Sequence, residues 1–126
     1  MSMQTDEIPR RDWVAYLTAF SAIHQGWLVS LELLAPELGV QSEVLNAPLL
    51  GVSAELRDDG VVIVTVARSP REHITHFVPD VAHIWVERTE EGADAALCFQ
   101  SVDGTKTILR FRAAVLPETV DGLARL

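Results

Sequence analysis

Trp13, Tyr16, Leu17, Phe20 and Ile23 recur at spacings of three and four, with His24 extending the row, which places them on one stripe of an α-helix. Pro9 suits the first turn of that helix, because its missing N–H needs no partner there and its φ is already helical. Gly26 provides the stop. The stripe needs a surface to pack on, and the residues beyond Gly26 have the period of strands. Trp27 to Leu34 holds more apolar residues than a one-sided strand requires, so it is expected to be central and partly covered on both faces. Pro36 and Gly39 end it. Glu37 to Ala47 shows no clean period and Pro48 argues against a central strand, which predicts a loop or edge segment there. Met1 to Glu7 is polar and uncapped and reads as a frayed tail.

Two hairpins are legible from their glycines. A three-residue loop Asp58-Asp59-Gly60 with Gly60 left-handed pairs Leu56 with Val62, Ala54 with Val64 and Val52 with Val66, so the apolar members share one face. A two-residue Asp59-Gly60 turn would set Leu56 against Ile63 and mix the faces. Val102-Asp103-Gly104 repeats the grammar: with Gly104 left-handed, Leu97 faces Leu109, Phe99 faces Thr107 and Ala95 faces Phe111. The opposite face then carries Ala96, Cys98, Gln100, Ile108, Arg110 and Arg112.

Between these hairpins lie Glu72 to Val78 and Val81 to Thr89, joined around Pro79-Asp80, with Glu90 to Asp94 as the next turn. The expected fold is α+β: an N-terminal amphipathic helix packed on a curled, mainly antiparallel sheet of about six or seven strands, a partial barrel at the limit of its curl. Residues 8–123 form its single domain. Pro117 and Gly122 make the end of the chain a weak element.

Composition narrows the setting. The chain has 126 residues, 48% hydrophobic and 22% charged, enough for one continuous core without disulfides or a structural metal. No apolar run reaches the roughly 20 residues of a membrane span. Asp6 and Glu7 precede Arg10 and Arg11, an order unlike a secretory leader, so the expected compartment is the cytoplasm. Cys98 is the only cysteine, which rules out an internal disulfide and a four-thiolate zinc site. A net charge of −8 opposes phosphate backbones and anionic lipid at long range, so neither nucleic acid nor membrane is an expected partner.

The order of features resembles a small bacterial family of domains of unknown function. The resemblance is carried by Ile8-Pro9 with Trp13, by His24-Gln25-Gly26-Trp27 at the helix-to-strand junction and by Pro48-Leu49-Leu50-Gly51-Val52 before the first hairpin. Asp103-Gly104-Thr105-Lys106-Thr107-Ile108-Leu109-Arg110-Phe111 closes it. The resemblance implies a compact bacterial domain. It supplies no activity and no catalytic residue.

Candidate chemistry is sparse. His73, His76 and His83 are the densest titratable group, with Glu72 and Glu87 nearby. A simple hairpin at Pro79-Asp80 would set His76 opposite His83, Ile74 opposite Trp85 and Glu72 opposite Glu87. Such a histidine pair is a candidate general base or a partial metal site. However, Glu72 and Glu87 would stand roughly 10 Å further along the strands, too far to complete a zinc site. Cys98 sits between Leu97 and Phe99 with no base beside it to lower its pKa. No serine has a nucleophile-elbow setting and the seven glycines form no phosphate loop. His24 closes the helical stripe, where the helix dipole or a bond to a backbone carbonyl accounts for it. Trp13, Trp27 and Trp85 read as core before pocket lining. Arg110 and Arg112, at alternate positions of the last strand, either hold an acidic ligand or pair with acids on neighbouring strands.

No catalytic, cofactor or metal residue is therefore assigned, and His76, His83, Trp85, Arg110 and Arg112 form the weak candidate site. The favoured function is a non-catalytic accessory or regulatory protein acting by contact with itself or with another bacterial protein, since unpaired strand edges need covering. The alternative is a small-molecule binding module with a pocket between helix and sheet, lined by Trp, Phe and Leu. A histidine-dependent enzyme would need His76 and His83 to converge with an acid.

Overall fold

The computed structural model describes residues 3–57 and 60–112, apart from the side chain of Leu45. Asp58, Asp59 and the chain end after Arg112, with its expected weak element, lie outside the described residues. The elements run β1 (Gln4–Glu7), a short 3-10 turn (Arg10–Asp12), α1 (Trp13–His24), β2 (Leu28–Ala35), β3 (Gly39–Glu55), β4 (Val61–Ser69), β5 (Glu72–Val78), β6 (Val81–Arg88), β7 (Asp94–Ser101) and β8 (Lys106–Phe111). Among the described residues the strands form one open antiparallel sheet in the order β1-β6-β7-β8-β2-β3-β4-β5.

The helix starts later than Pro9 suggests, because Arg10–Asp12 forms the 3-10 turn first. Trp13, Leu17, Phe20 and His24 are buried and Tyr16 is half-buried. Ile23, expected on the same stripe, is 54% exposed. Pairing at three and four does not by itself fix the stripe's width, and Ile23 falls off its edge. The indole N–H of Trp13 donates to Ile8 O at 2.9 Å, so its polar edge is satisfied in the core. The Ser21 hydroxyl donates to Val52 O at 2.6 Å and accepts from Val52 N–H at 2.7 Å, which pins α1 to β3. His24 to Trp27 forms a type II turn, with Gln25 at φ −59°, ψ 129° and Gly26 at φ +89°. Trp27 N–H closes it onto His24 O at 3.0 Å.

Among the described residues eight strands form where six or seven were expected, and one of them is longer than expected. Gln4–Glu7 is not a frayed tail but adds β1 along β6, where Thr5 opposes Glu87 and Glu7 opposes Trp85. The segment read as a loop or edge is the first half of β3, which pairs with β2 as far as Pro48 and then with β4 from Leu49 onward. The period fails there because the β2 ladder carries irregularities between Val29 and Glu32, and a bulge shifts the phase of alternation. Asn46 takes φ +50° near this crossing, a conformation asparagine tolerates. Pro48 opposes Leu28 at the end of the β2 ladder, where a missing N–H costs least.

The β7–β8 hairpin has the expected register, with Leu97 opposite Leu109 and Phe99 opposite Thr107. Gly104 is at φ +92° and its N–H donates to Ser101 O. The β3–β4 hairpin departs from expectation by two residues: Ala54 opposes Val62 and Val52 opposes Val64, so the connection spans 56–60. Gly60 is left-handed as expected, at φ +82°. A two-residue shift leaves every side chain on its face, and Val52, Val62, Val64 and Val66 are all buried.

The sheet bends round on itself. β5 and β6 stand far apart in strand order yet are joined by Pro79-Asp80, and Val81 N–H donates to Gly60 O at 3.1 Å across the bend. Its concave side holds the core, where Leu31, Val64, Ile84, Leu97, Phe99 and Leu109 pack with α1. Beside that core, Thr18 and Ser21 of α1 with Gly51, Ser53 and Ile63 of the sheet line an open hollow of about 410 Å³.

Candidate functional site

The two edges of the sheet are built differently. β1 has four residues, two of them the acids Asp6 and Glu7, and Pro9 follows closely. Asp6 pairs with Arg88 at 3.3 Å and Glu7 with His83 at 2.7 Å. Short, charged and proline-flanked edges resist further pairing. β5, Glu-His-Ile-Thr-His-Phe-Val, is also flanked by prolines, Pro70 and Pro79, but it is seven residues long with a single acid at its start. It pairs with β4 on one side, and among the described residues no strand covers the other. Val78 is buried and Ile74 and His76 are half-buried toward the concave side, while His73, Thr75 and Phe77 face out. Phe77 is 61% exposed.

Beside this edge lies an open groove of about 420 Å³, floored by Leu33, His76, Val78, Ser101 and Thr107. Asp80 and Asp103 stand on its rim, and its lining includes no Lys or Arg. Asp80 takes φ +51° in the turn, while its carbonyl accepts Val102 N–H at 2.9 Å. Ser101 Oγ donates to Pro79 O at 2.8 Å. These bonds lock the β5–β6 turn to the β7–β8 hairpin.

The convex face of β6, β7 and β8 carries a second shallow groove, of about 360 Å³, around Trp85, Cys98 and Ile108. Trp85 opposes Cys98, and Cys98 opposes Ile108. His83 stacks on Trp85 with ring centres 5.2 Å apart. Arg110 pairs with Glu32 at 3.4 Å and lies 3.9 Å from Glu87. Burial pushes the Cys98 thiol above its ordinary pKa, Lys106 and Arg110 only partly offsetting it, so nothing here generates a thiolate nucleophile.

A polar cluster under α1 is the part that sequence reasoning missed. His24 is 1% exposed; its Nδ1–H donates to Phe20 O at 2.8 Å, the carbonyl bond expected of it. Its Nε2 stands 3.1 Å from Asp94 Oδ2, within ion-pair reach but out of line for a hydrogen bond. Arg88 Nε donates to Asp94 Oδ1 at 3.1 Å and its terminal nitrogens reach Asp6 and the Tyr16 hydroxyl. Burial raises the Asp94 pKa, but the His24 contact and the charges of His24 and Arg88 outweigh it and hold the carboxyl below the ordinary range. Tyr16 is raised, chiefly by burial. The histidine-carboxylate pair resembles half of a catalytic triad, yet the ring is packed between Phe20, Trp27 and Phe111 and no substrate reaches it. The cluster fastens α1 to β1, β6 and β7. Asp94 gives no sequence signal, since it reads as a turn acid.

The five candidate residues do not assemble. β5 and β6 are not paired, so the expected facing of His76 with His83, Ile74 with Trp85 and Glu72 with Glu87 is wrong. His76 opposes Val64 on β4 and His83 opposes Gln100 on β7. Asp80 at positive φ ends β5 and lets β6 depart into the other half of the curl, a route that strand pattern alone does not reveal. His83, Trp85 and Arg110 share the convex face and His76 lies in the groove beside β5. Arg112 follows the end of β8, exposed, with its N–H on Leu28 O. No group of three or more His, Cys, Asp or Glu suited to a metal ion occurs among the described residues. Among them, too, no helix is long and apolar enough to cross a membrane.

The model of a protein family described only as of unknown function matches residues 4–119. An uncharacterized protein of Aquifex aeolicus (strain VF5) is 34% identical over 117 residues, covering 92% of this chain and 100% of that protein. No solved structure matches.

Proposed function

We propose that this chain, which belongs to the family of unknown function DUF5335, is a non-catalytic accessory or regulatory domain that acts through protein contact. The observation that carries the reading is β5: a seven-residue edge strand, with Glu72 its one charged residue among seven, that leaves the ring of Phe77 exposed. Unpaired edges of this kind present a row of backbone donors and acceptors, and strand addition is the contact they support best. The buried His24–Asp94 pair, sealed by Phe20, Trp27 and Phe111, fastens the helix to the sheet. A reducing cytoplasm suits the single half-buried Cys98.

The groove beside β5 favours a second reading, a small-molecule site with an apolar floor and polar groups from His76, Ser101 and Thr107. Native mass spectrometry of the protein purified from its own host separates the two. Contact predicts a complex that contains a second polypeptide, whether another copy or another protein, and that is lost when Thr75→Lys and Phe77→Lys are combined. A monomer carrying one equivalent of a small molecule would overturn it in favour of the ligand module.

A further inference from the structure

We infer that the partner of β5 is a second copy of this chain, added antiparallel to the same strand about a two-fold axis centred on Thr75. The inference rests on the reading of β5 as a contact edge and names its partner. A two-fold contact is self-complementary: residue i meets residue j, and j meets i. For the two sheets to continue as one, concave residues must meet concave residues, because a one-residue slip inverts every side chain. The axis therefore falls on a residue, and the strand offers three central choices.

An axis at Ile74 leaves Phe77 and Val78 without partners. An axis at His76 sets two imidazoles face to face and leaves Glu72 and His73 beyond the ladder. The axis at Thr75 engages all seven residues: Glu72 with Val78 of the second copy, His73 with Phe77, Ile74 with His76, and Thr75 with its own equivalent. Aromatic pairs and Thr–Thr pairs are among the favourable cross-strand neighbours, and like charges directly opposite are unfavourable. This register has two His–Phe pairs flanking a Thr–Thr pair on the convex face, and no like charges opposed. It also covers both Phe77 rings, the largest exposed aromatic surface on the strand. Each copy carries a net charge of −8, but each β5 carries only Glu72 as an acid. The copies repel at long range and fit at contact, so association should tighten as salt screens the repulsion.

The test is cross-linking combined with sedimentation. In a chain carrying Cys98→Ser, Thr75→Cys places two thiols opposite each other across the axis, where Cα atoms of a facing pair stand about 4.5–5.5 Å apart, within disulfide reach. Leu38→Cys, on the exposed turn between β2 and β3, is the control. The expected result is a covalent dimer on mild oxidation for Thr75→Cys and not for Leu38→Cys. Sedimentation should show a dimer for the unmodified chain and loss of it, by at least about tenfold in affinity, for Thr75→Lys with Phe77→Lys at unchanged circular dichroism. A monomer at every concentration and salt would overturn the second copy as the partner, while the contact reading stays with its own native-mass test. A dimer that neither cross-links at position 75 nor responds to the lysines would overturn this geometry and place self-association elsewhere.

Discussion

His24 Nε2 faces Asp94 Oδ2 at 3.1 Å, joining the last turn of α1 to the first residue of β7. The Asp94 carboxyl lies below the ordinary range, burial opposing and His24 with Arg88 together prevailing. A carboxyl depressed in the folded state contributes stability that is fully present above its unfolded value, near about 3.9, and is lost as pH falls through the folded value. Asp94→Asn should remove that acid-sensitive component, flattening the stability profile at the low-pH end. At neutral pH it should cost about 3 kcal/mol, the low end for a broken buried pair because Asp94 keeps some exposure. Urea unfolding at several pH values measures both.

Phe20 packs on Tyr16, His24 and Phe111 with ring centres 4.1 to 6.0 Å away. Phe20→Ala should destabilise the fold by about 3–5 kcal/mol. Ile23→Ala, on the exposed side of the same helix, should change it by no more than about 0.5 kcal/mol. Equal losses in denaturant unfolding would mean that α1 is rotated from the orientation described.

Gly60→Ala should be destabilising by about 1–2 kcal/mol, because φ +82° is costly for an L side chain. The added Cβ would also stand 3.2 Å from the Arg10 guanidinium. Gly51 has ordinary φ and open space around it, so Gly51→Ala should be neutral or raise stability by about 0.4–1 kcal/mol. Thermal melts should fall for Gly60→Ala and not for Gly51→Ala.

Burial holds the Cys98 thiol up, so alkylation by iodoacetamide at neutral pH should be at least about tenfold slower in the folded protein than in urea. Fast labelling of the native protein would mean that the convex groove activates the thiol and has chemistry of its own.

Local grammar made much of the fold legible. Gly104 fixed a hairpin whose loop length left one register, and the apolar alternation of 62, 64 and 66 identified the buried face of β4. The β3–β4 register escaped because pairings whose residue numbers sum to 116 and to 118 bury the same side chains; pattern distinguishes odd from even slips only. β1 escaped because a four-residue polar edge strand has no apolar face to read. The candidate site failed for a longer-range reason. Pro79-Asp80 looks like a hairpin tip, but Asp80 at φ +51° sends β6 into the other half of the curl, and His76 and His83 part with it. The pairing of His24 with Asp94 spans α1 to β7 and has no local signature.

Amide hydrogen exchange on β5, followed against protein concentration, tests most directly whether this edge is a contact surface. The amides of Glu72 to Val78 that do not bond to β4 should be protected in the assembled protein, losing that protection on dilution and in the chain carrying Thr75→Lys and Phe77→Lys. Exchange of those amides at the rate of the exposed turn at Leu38, at every concentration and in the complex isolated from the host, would contradict the edge as the site of contact.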